Sequence, residues 1–167
     1  FCCLLFTTEV LFAQEPTGWT KLKSPTNETL RRLFFVDENN GWAVSLGGKI
    51  INTTDAGNNW KIQNSMVTSP IVDIFFINSN RGWAITYPSE PPFGTTILTT
   101  SNGGTDWVKD SVFFENEIFS TIIFLDENLG FIGGNGIKKT TNGGLTWTNS
   151  FIESGGVSTL PINKFSF

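Results

Sequence analysis

The sequence contains no histidine, and its two cysteines, Cys2 and Cys3, are adjacent near one end. Without an imidazole, neither a Ser-His-Asp nor a Cys-His nucleophile can be assembled. Zinc and copper centres built from His and Cys are excluded on the same ground. Basic runs are also missing. Lys and Arg total 11 against 15 Asp and Glu, giving a net charge of -4, so the positive footprint of a nucleic-acid binder is absent. No apolar stretch approaches the roughly 20 residues that a transmembrane helix needs.

Turn formers and aromatics are abundant instead. The chain has 17 Gly, 16 Phe and 6 Trp in 167 residues, and 39% of it is hydrophobic. Enough apolar material is present for a packed core, and frequent Gly, Asn and Thr indicate many tight turns. The profile predicts an all-β protein.

Residues 1–13 have the apolar run Phe1 to Phe6 and a small residue, Ala13, before Gln14. They read as a signal peptide whose basic start is missing, followed by a short lead at 14–18. The expectation is therefore an exported protein, extracellular, on the cell surface or periplasmic. Both cysteines fall within that leader, so the mature chain would hold no disulfide.

An internal repeat dominates the rest. Leu33-Phe34-Phe35-Val36-Asp37-Glu38-Asn39-Asn40-Gly41-Trp42 returns as Ile74-Phe75-Phe76-Ile77-Asn78-Ser79-Asn80-Arg81-Gly82-Trp83. It returns again as Ile122-Ile123-Phe124-Leu125-Asp126-Glu127-Asn128-Leu129-Gly130-Phe131. Each copy is followed by a second signature: Thr53-Thr54-Asp55-Ala56-Gly57-Asn58-Asn59-Trp60, Thr100-Ser101-Asn102-Gly103-Gly104-Thr105-Asp106-Trp107, and Thr140-Thr141-Asn142-Gly143-Gly144-Leu145-Thr146-Trp147. The glycines before the aromatic recur after 41 and then 48 residues, and Trp19 precedes Trp60 by 41. Such a period fits one four-stranded propeller blade.

Four short strands are predicted in the first repeat: Leu30 to Val36, Gly41 to Leu46, Lys49 to Thr53 and Trp60 to Gln63. The first is apolar almost throughout, as a strand covered on both faces would be. The second repeat is longer because Tyr87 to Gly94, with three prolines, is inserted where the first has Leu46-Gly47-Gly48. Such insertions map to loops on one face, often a binding face. The blades divide as 19–60, 61–107, 108–147 and a partial 148–167, about three and a half in all. A ring needs about four to eight blades, so the remaining blades are expected from further sequence or from self-association.

The Thr-x-[Asp/Asn]-x-Gly-x-x-Trp turns resemble the Asp-box, or bacterial neuraminidase repeat. With Gly41 to Val44 and Gly82 to Ile85 upstream, the chain from Trp19 to Phe167 is similar to the photosystem II stability and assembly factor family of β-propellers. The resemblance implies a non-catalytic scaffold that holds a client protein. Sialidases and xyloglucan hydrolases share the same turn and cleave glycans, so the alternative is the N-terminal part of an Asp-box glycoside hydrolase.

Within the box, Thr53, Asp55, Gly57 and Trp60, with Thr100, Asn102, Gly104 and Trp107 and with Thr140, Asn142, Gly144 and Trp147, are read as structural. The Asp or Asn side chain bonds backbone groups one or two residues on, Gly supplies a positive φ, and Trp anchors the next strand between blades. Calcium at Asp55 is disfavoured because Asn102 and Asn142 are neutral and Ca²⁺ takes six to eight oxygens, carboxylates among them. No cofactor is expected. Paired acids for glycoside hydrolysis would come from Asp37, Glu38, Asp73, Asp126 and Glu127, and four of these five lie in repeated turns.

One column stands apart from the packing pattern. Alignment of the first strands places Arg32, Asp73, Thr121 and Lys164 at the same position of successive blades. Innermost strands surround the propeller axis, so these four are the candidate partner-binding residues at one mouth of the channel, for a protein or glycan partner. The plain alternative is that strand starts are simply wet.

Overall fold

The computed structural model describes residues 18, 21–87, 91, 93–150, 162, 164 and 165. The leader at 1–13, Trp19 and most of the partial fourth blade lie outside the described residues. No helix occurs among the described residues, which form twelve strands in three antiparallel sheets. The first sheet is β1 (Leu30–Phe35), β2 (Gly41–Ser45), β3 (Ile50–Thr53) and β4 (Lys61–Gln63). The second is β5 (Ile71–Phe76), β6 (Gly82–Thr86), β7 (Gly94–Thr100) and β8 (Val108–Glu115). The third is β9 (Phe119–Phe124), β10 (Gly130–Gly134), β11 (Ile137–Thr140) and β12 (Thr148–Ser150).

In every sheet the strands lie side by side in chain order. The first strands pack on one another, β1 against β5 and β5 against β9. The sheets are therefore consecutive blades of a β-propeller with their first strands innermost, and the predicted strands agree with the observed ones to within one residue at each end.

The core is divided between the two seams. Trp42, Val44 and Ile50 of the first blade meet Ile71, Ile74 and Phe76 of the second. Trp83, Ile85 and Ile97 of the second meet Ile122, Phe124 and Ile132 of the third. Each of these large side chains contributes about 1.5 to 3 kcal/mol through its removal from water, and both clusters join residues of two adjacent blades.

One aromatic device repeats at both seams. The Trp42 indole stacks on Phe76 of the next blade, ring centroids 3.6 Å apart and 10° from parallel, and its N–H donates to the Gly103 carbonyl at 3.0 Å. Trp83 repeats this on Phe124, at 3.6 Å and 8°, donating to Gly143 at 3.1 Å. The glycine opening each second strand admits the ring. A Cβ on Gly82 would lie 2.5 Å from the Phe76 ring, and one on Gly130 2.6 Å from Phe124.

The first strand departs from expectation. β5 and β9 hold only buried and half-buried residues, but β1 is open: Leu33 is 57% exposed and Phe35 39%. No described residue forms a blade on that side of β1, so its apolar run is covered on one face only.

Candidate functional site

Each innermost strand breaks register with its neighbour at the same place. The pairing slips between Leu30 and Arg32, between Ile71 and Asp73, and between Phe119 and Thr121. Arg31, Val72 and Ser120 are thus the extra residues of three equivalent β-bulges. A bulge bends its strand and re-aims the next side chain. Here it turns the aligned column toward one point.

At that point Arg32 Nε lies 2.9 Å from Asp73 Oδ1, an ion pair off the line of the N–H. Asp73 Oδ1 also accepts the Ile74 N–H at 3.0 Å. Its Oδ2 accepts the Thr121 hydroxyl and the Ile122 N–H, both at 3.0 Å. Three blades are therefore tied to one carboxylate. Asp73 and Thr121 are each only 4% exposed, so these two positions are not wet, whereas Arg32 is half-buried and Lys164 exposed. Burial pushes the Asp73 carboxyl above the usual aspartate range, outweighing the Ile122 N–H and the Arg32 guanidinium.

Lys164 reaches the same place through the chain beyond the third blade. The Ile162 N–H bonds the Gly134 carbonyl at 2.8 Å, and the Ser120 hydroxyl donates to the Ile162 carbonyl at 2.9 Å. The result is a cavity of about 230 Å³ lined by Arg31, Arg32, Asp73, Ser120, Thr121 and Lys164. Both oxygens of Asp73, the one acid among the described lining residues, are engaged inside the protein, while Arg31 and Lys164 are exposed. The mouth is thus cationic and suited to an anionic group. Sequence alignment found the column but not Arg31 or Ser120, because a bulge leaves no mark in the hydrophobic pattern.

The inserted segment lies at the same end of the blade, since Ile71 pairs with Thr86 and Tyr87 N–H bonds the Pro70 carbonyl at 2.8 Å. Tyr87 and Phe93 at its two ends are 44% and 50% exposed. Residues 88–90 and 92 lie outside the described residues.

The three Thr-x-[Asp/Asn] turns share one hydrogen-bond scheme. Thr53, Thr100 and Thr140 donate to Asp55, Asn102 and Asn142 at 2.8, 3.0 and 2.9 Å. Their hydroxyls accept the N–H of Gly57, Gly104 and Gly144, each at 2.9 Å. The Asp or Asn oxygen then accepts the N–H of Asn59, Asp106 or Thr146 at 2.8 to 3.0 Å. That reach is four residues rather than the one or two expected. Trp107 is buried as predicted, donating to Gln63 at 3.1 Å, whereas Trp60 and Trp147 are half-buried.

Asp37 and Asp126 are turn caps. Asp37 Oδ1 accepts the N–H of Asn39 and Asn40 at 2.8 and 2.7 Å, and Asp126 Oδ1 those of Asn128 and Leu129 at 2.7 and 2.8 Å. These bonds hold both carboxyls below the usual range, led by the Asn40 side chain for Asp37 and the Leu129 N–H for Asp126. Arg81 is far from the mouth, its guanidinium 4.6 Å above the Trp83 ring.

The family described as photosynthesis system II assembly factor YCF48 matches residues 12–109, more than half of the chain. Two solved structures of that factor share the fold. One is YCF48 bound to D1 peptide, with a TM-score of 0.63, 23% identity, and coverage of 80% of this chain and 43% of that one. The other is YCF48 from Cyanidioschyzon merolae, with a TM-score of 0.65, 21% identity, and coverage of 78% and 42%. An ancestral GH74 enzyme also superposes, with a TM-score of 0.62, 18% identity, and coverage of 78% of this chain and 19% of that one. The chain spans less than half the length of either YCF48 structure. No curated protein matches it in sequence.

Proposed function

The chain belongs to the family of the photosynthesis system II assembly factor YCF48, and on that premise we propose that it is an exported, non-catalytic binding and scaffold module. Its partner is a peptide segment of another protein, bound with an anionic group at the mouth formed by Arg32, Asp73, Thr121 and Lys164. The observation that carries this reading is the convergence of three blades on Asp73, which spends one carboxylate internally and leaves the surrounding cations facing solvent. One solved YCF48 is bound to D1 peptide, and a peptide suits a rigid disc that offers charge at its mouth and exposed Tyr87 and Phe93 on the same face. Export follows from the apolar leader at 1–13.

The glycoside hydrolase alternative meets a chemical objection. A general acid must hold a proton near neutral pH, which requires a raised pKa. Asp37 and Asp126 are shifted the other way by the turns they cap. Asp73 is shifted up, but among the described residues no second acid lines the cavity.

Fluorescence anisotropy with a labelled acidic peptide ending in a free carboxylate, beside its C-terminally amidated form, tests the proposal. Replacing Arg32 by Gln and Lys164 by Glu together should weaken binding by roughly tenfold or more. Lys61→Glu, on the outer strand β4, should leave it unchanged. Equal affinity of the double variant and the parent would remove the mouth from the function.

A further inference from the structure

Asparagine is followed by glycine at Asn40-Gly41, Asn102-Gly103, Asn135-Gly136 and Asn142-Gly143. Such a pair is open to a reaction within the chain. The glycine peptide nitrogen, after losing its proton to hydroxide, attacks the side-chain carbonyl carbon. The amide nitrogen leaves as ammonia, taking a proton from water, and a five-membered imide remains. Water opens the imide at either carbonyl, which gives aspartate or its β-linked isomer. Glycine favours the attack because no Cβ stands in its way. The reaction still needs a free peptide N–H and a side chain that can bring its carbonyl to about 3 to 3.5 Å from that nitrogen.

Three of the four pairs are locked by the fold. The Gly103 and Gly143 N–H groups donate to the Asn80 and Asn128 carbonyls, each at 2.9 Å. The side-chain amides of Asn102 and Asn142 donate to Asp106 and Thr146, each at 2.8 Å, and their oxygens accept the N–H of the same two residues at 2.9 and 3.0 Å. The Asn40 amide donates to both oxygens of Asp37 at 3.0 and 2.9 Å, and Gly41 is fixed at the start of β2 against the Phe35 ring.

Asn135-Gly136 differs on every count. The pair forms the turn between β10 and β11, and both residues are exposed. Among the described residues the Asn135 side chain has no hydrogen-bond partner and the Gly136 N–H no acceptor. Nothing lies within 4 Å of the Cβ position on Gly136, so the space the side chain must enter is open.

We propose that Asn135 is a site of spontaneous deamidation, and that the folded protein confines the reaction to it by holding the other three pairs. The product places a carboxylate on the wall of a cavity of about 290 Å³ shared with Lys138. The Lys138 Nζ is already held by Glu117 at 2.7 Å and Asn149 at 2.8 Å, so the new charge adds to the net -4 of the chain. The β-linked isomer also lengthens the main chain beside Gly134, whose carbonyl seats the Ile162 N–H at 2.8 Å.

Peptide mapping by mass spectrometry, in mildly alkaline water enriched in heavy oxygen, tests the site. The chain is incubated folded and, in parallel, unfolded in urea. In the folded protein, heavy oxygen should enter Asn135 roughly tenfold or more faster than Asn40, Asn102 or Asn142. In urea the four should react at similar rates. Gly136→Ala should slow the folded reaction roughly tenfold, with the urea midpoint unchanged. Labelling of another pair as fast as Asn135 in the folded protein overturns the proposal. An equal preference for Asn135 in urea overturns the part assigned to the fold, and an undiminished rate in Gly136→Ala overturns Gly136 as the attacking residue.

Discussion

Trp42 and Phe76 belong to different blades and lie face to face at 3.6 Å, with the indole N–H fixed on the Gly103 carbonyl. Stack and hydrogen bond together set how far one blade rotates against the next. Trp42→Ala should cost about 3 to 5 kcal/mol in urea unfolding, as expected for loss of a fully buried aromatic. The Phe variants separate the two contributions. Gly103 keeps a second donor, Gln63 at 2.8 Å, while Gly143 keeps only Arg81 at 3.4 Å. Trp83→Phe should therefore destabilise more than Trp42→Phe, by about 1 kcal/mol. Equal losses would mean that the stack alone holds the seams.

Gly82 is required by contact, not by backbone angle. An added Cβ would sit 2.5 Å from the Phe76 ring, which Trp42 already pins from the preceding blade. Gly82→Ala should lower stability by about 2 to 3 kcal/mol. Gly136→Ala is the matched comparison, since nothing lies within 4 Å of its Cβ position, and it should change stability by less than about 0.5 kcal/mol. Thermal unfolding of the two variants would show the contrast, and similar shifts would refute the packing argument.

Ala56 is the one non-glycine among the three equivalent left-handed turn positions. An L side chain there costs roughly 1 to 2 kcal/mol, offset in part by the greater freedom of glycine in the unfolded chain. Ala56→Gly should raise stability by about 0.5 to 1 kcal/mol, measured as a higher urea midpoint at unchanged slope. A lower midpoint would show that the turn tolerates Ala56 without strain.

Asp73 should oppose the other acids in the pH dependence of folding. Its folded-state pKa is raised by burial, so the folded protein binds this proton more tightly than the unfolded chain does. Its contribution is fully present below the ordinary aspartate pKa and is lost as pH rises through the higher folded value. Glu28, Asp37, Asp55 and Asp126 are lowered, led by hydrogen bonds from Lys49, Asn40, Asn59 and Leu129 respectively. Their contributions are present above the ordinary carboxylate range and are lost as pH falls through the folded values. Asp73→Asn should therefore gain on the parent as pH rises from about 3 to about 7. Urea midpoints that run parallel across that range would contradict the assignment.

Much of the architecture could be read from the chain because its determinants are local. Turns Asp37 to Asn40 and Asp126 to Leu129 close through an Asp oxygen and backbone N–H groups two and three residues on. The Thr-x-[Asp/Asn] turns close within four residues. Such spacings survive in sequence as a repeat, and the period of the repeat implies four-stranded blades. The column Arg32, Asp73, Thr121 and Lys164 was legible for the same reason, as one position of an aligned unit.

What the tertiary structure alone decided lies between blades. Three bulges turn the column inward and bring Arg31 and Ser120 into the cavity, yet a bulge is a slip between two strands and has no residue signature of its own. The apolar run of β1 reads like that of β5, but one is open and the other buried, because burial belongs to the neighbour and not to the strand. The charge state of Asp73 follows the same logic. An aspartate preceding an apolar run is ordinary in sequence, and only its burial between the flanking blades raises its pKa, against the Ile122 N–H, the Arg32 guanidinium and the Thr121 hydroxyl, which lower it.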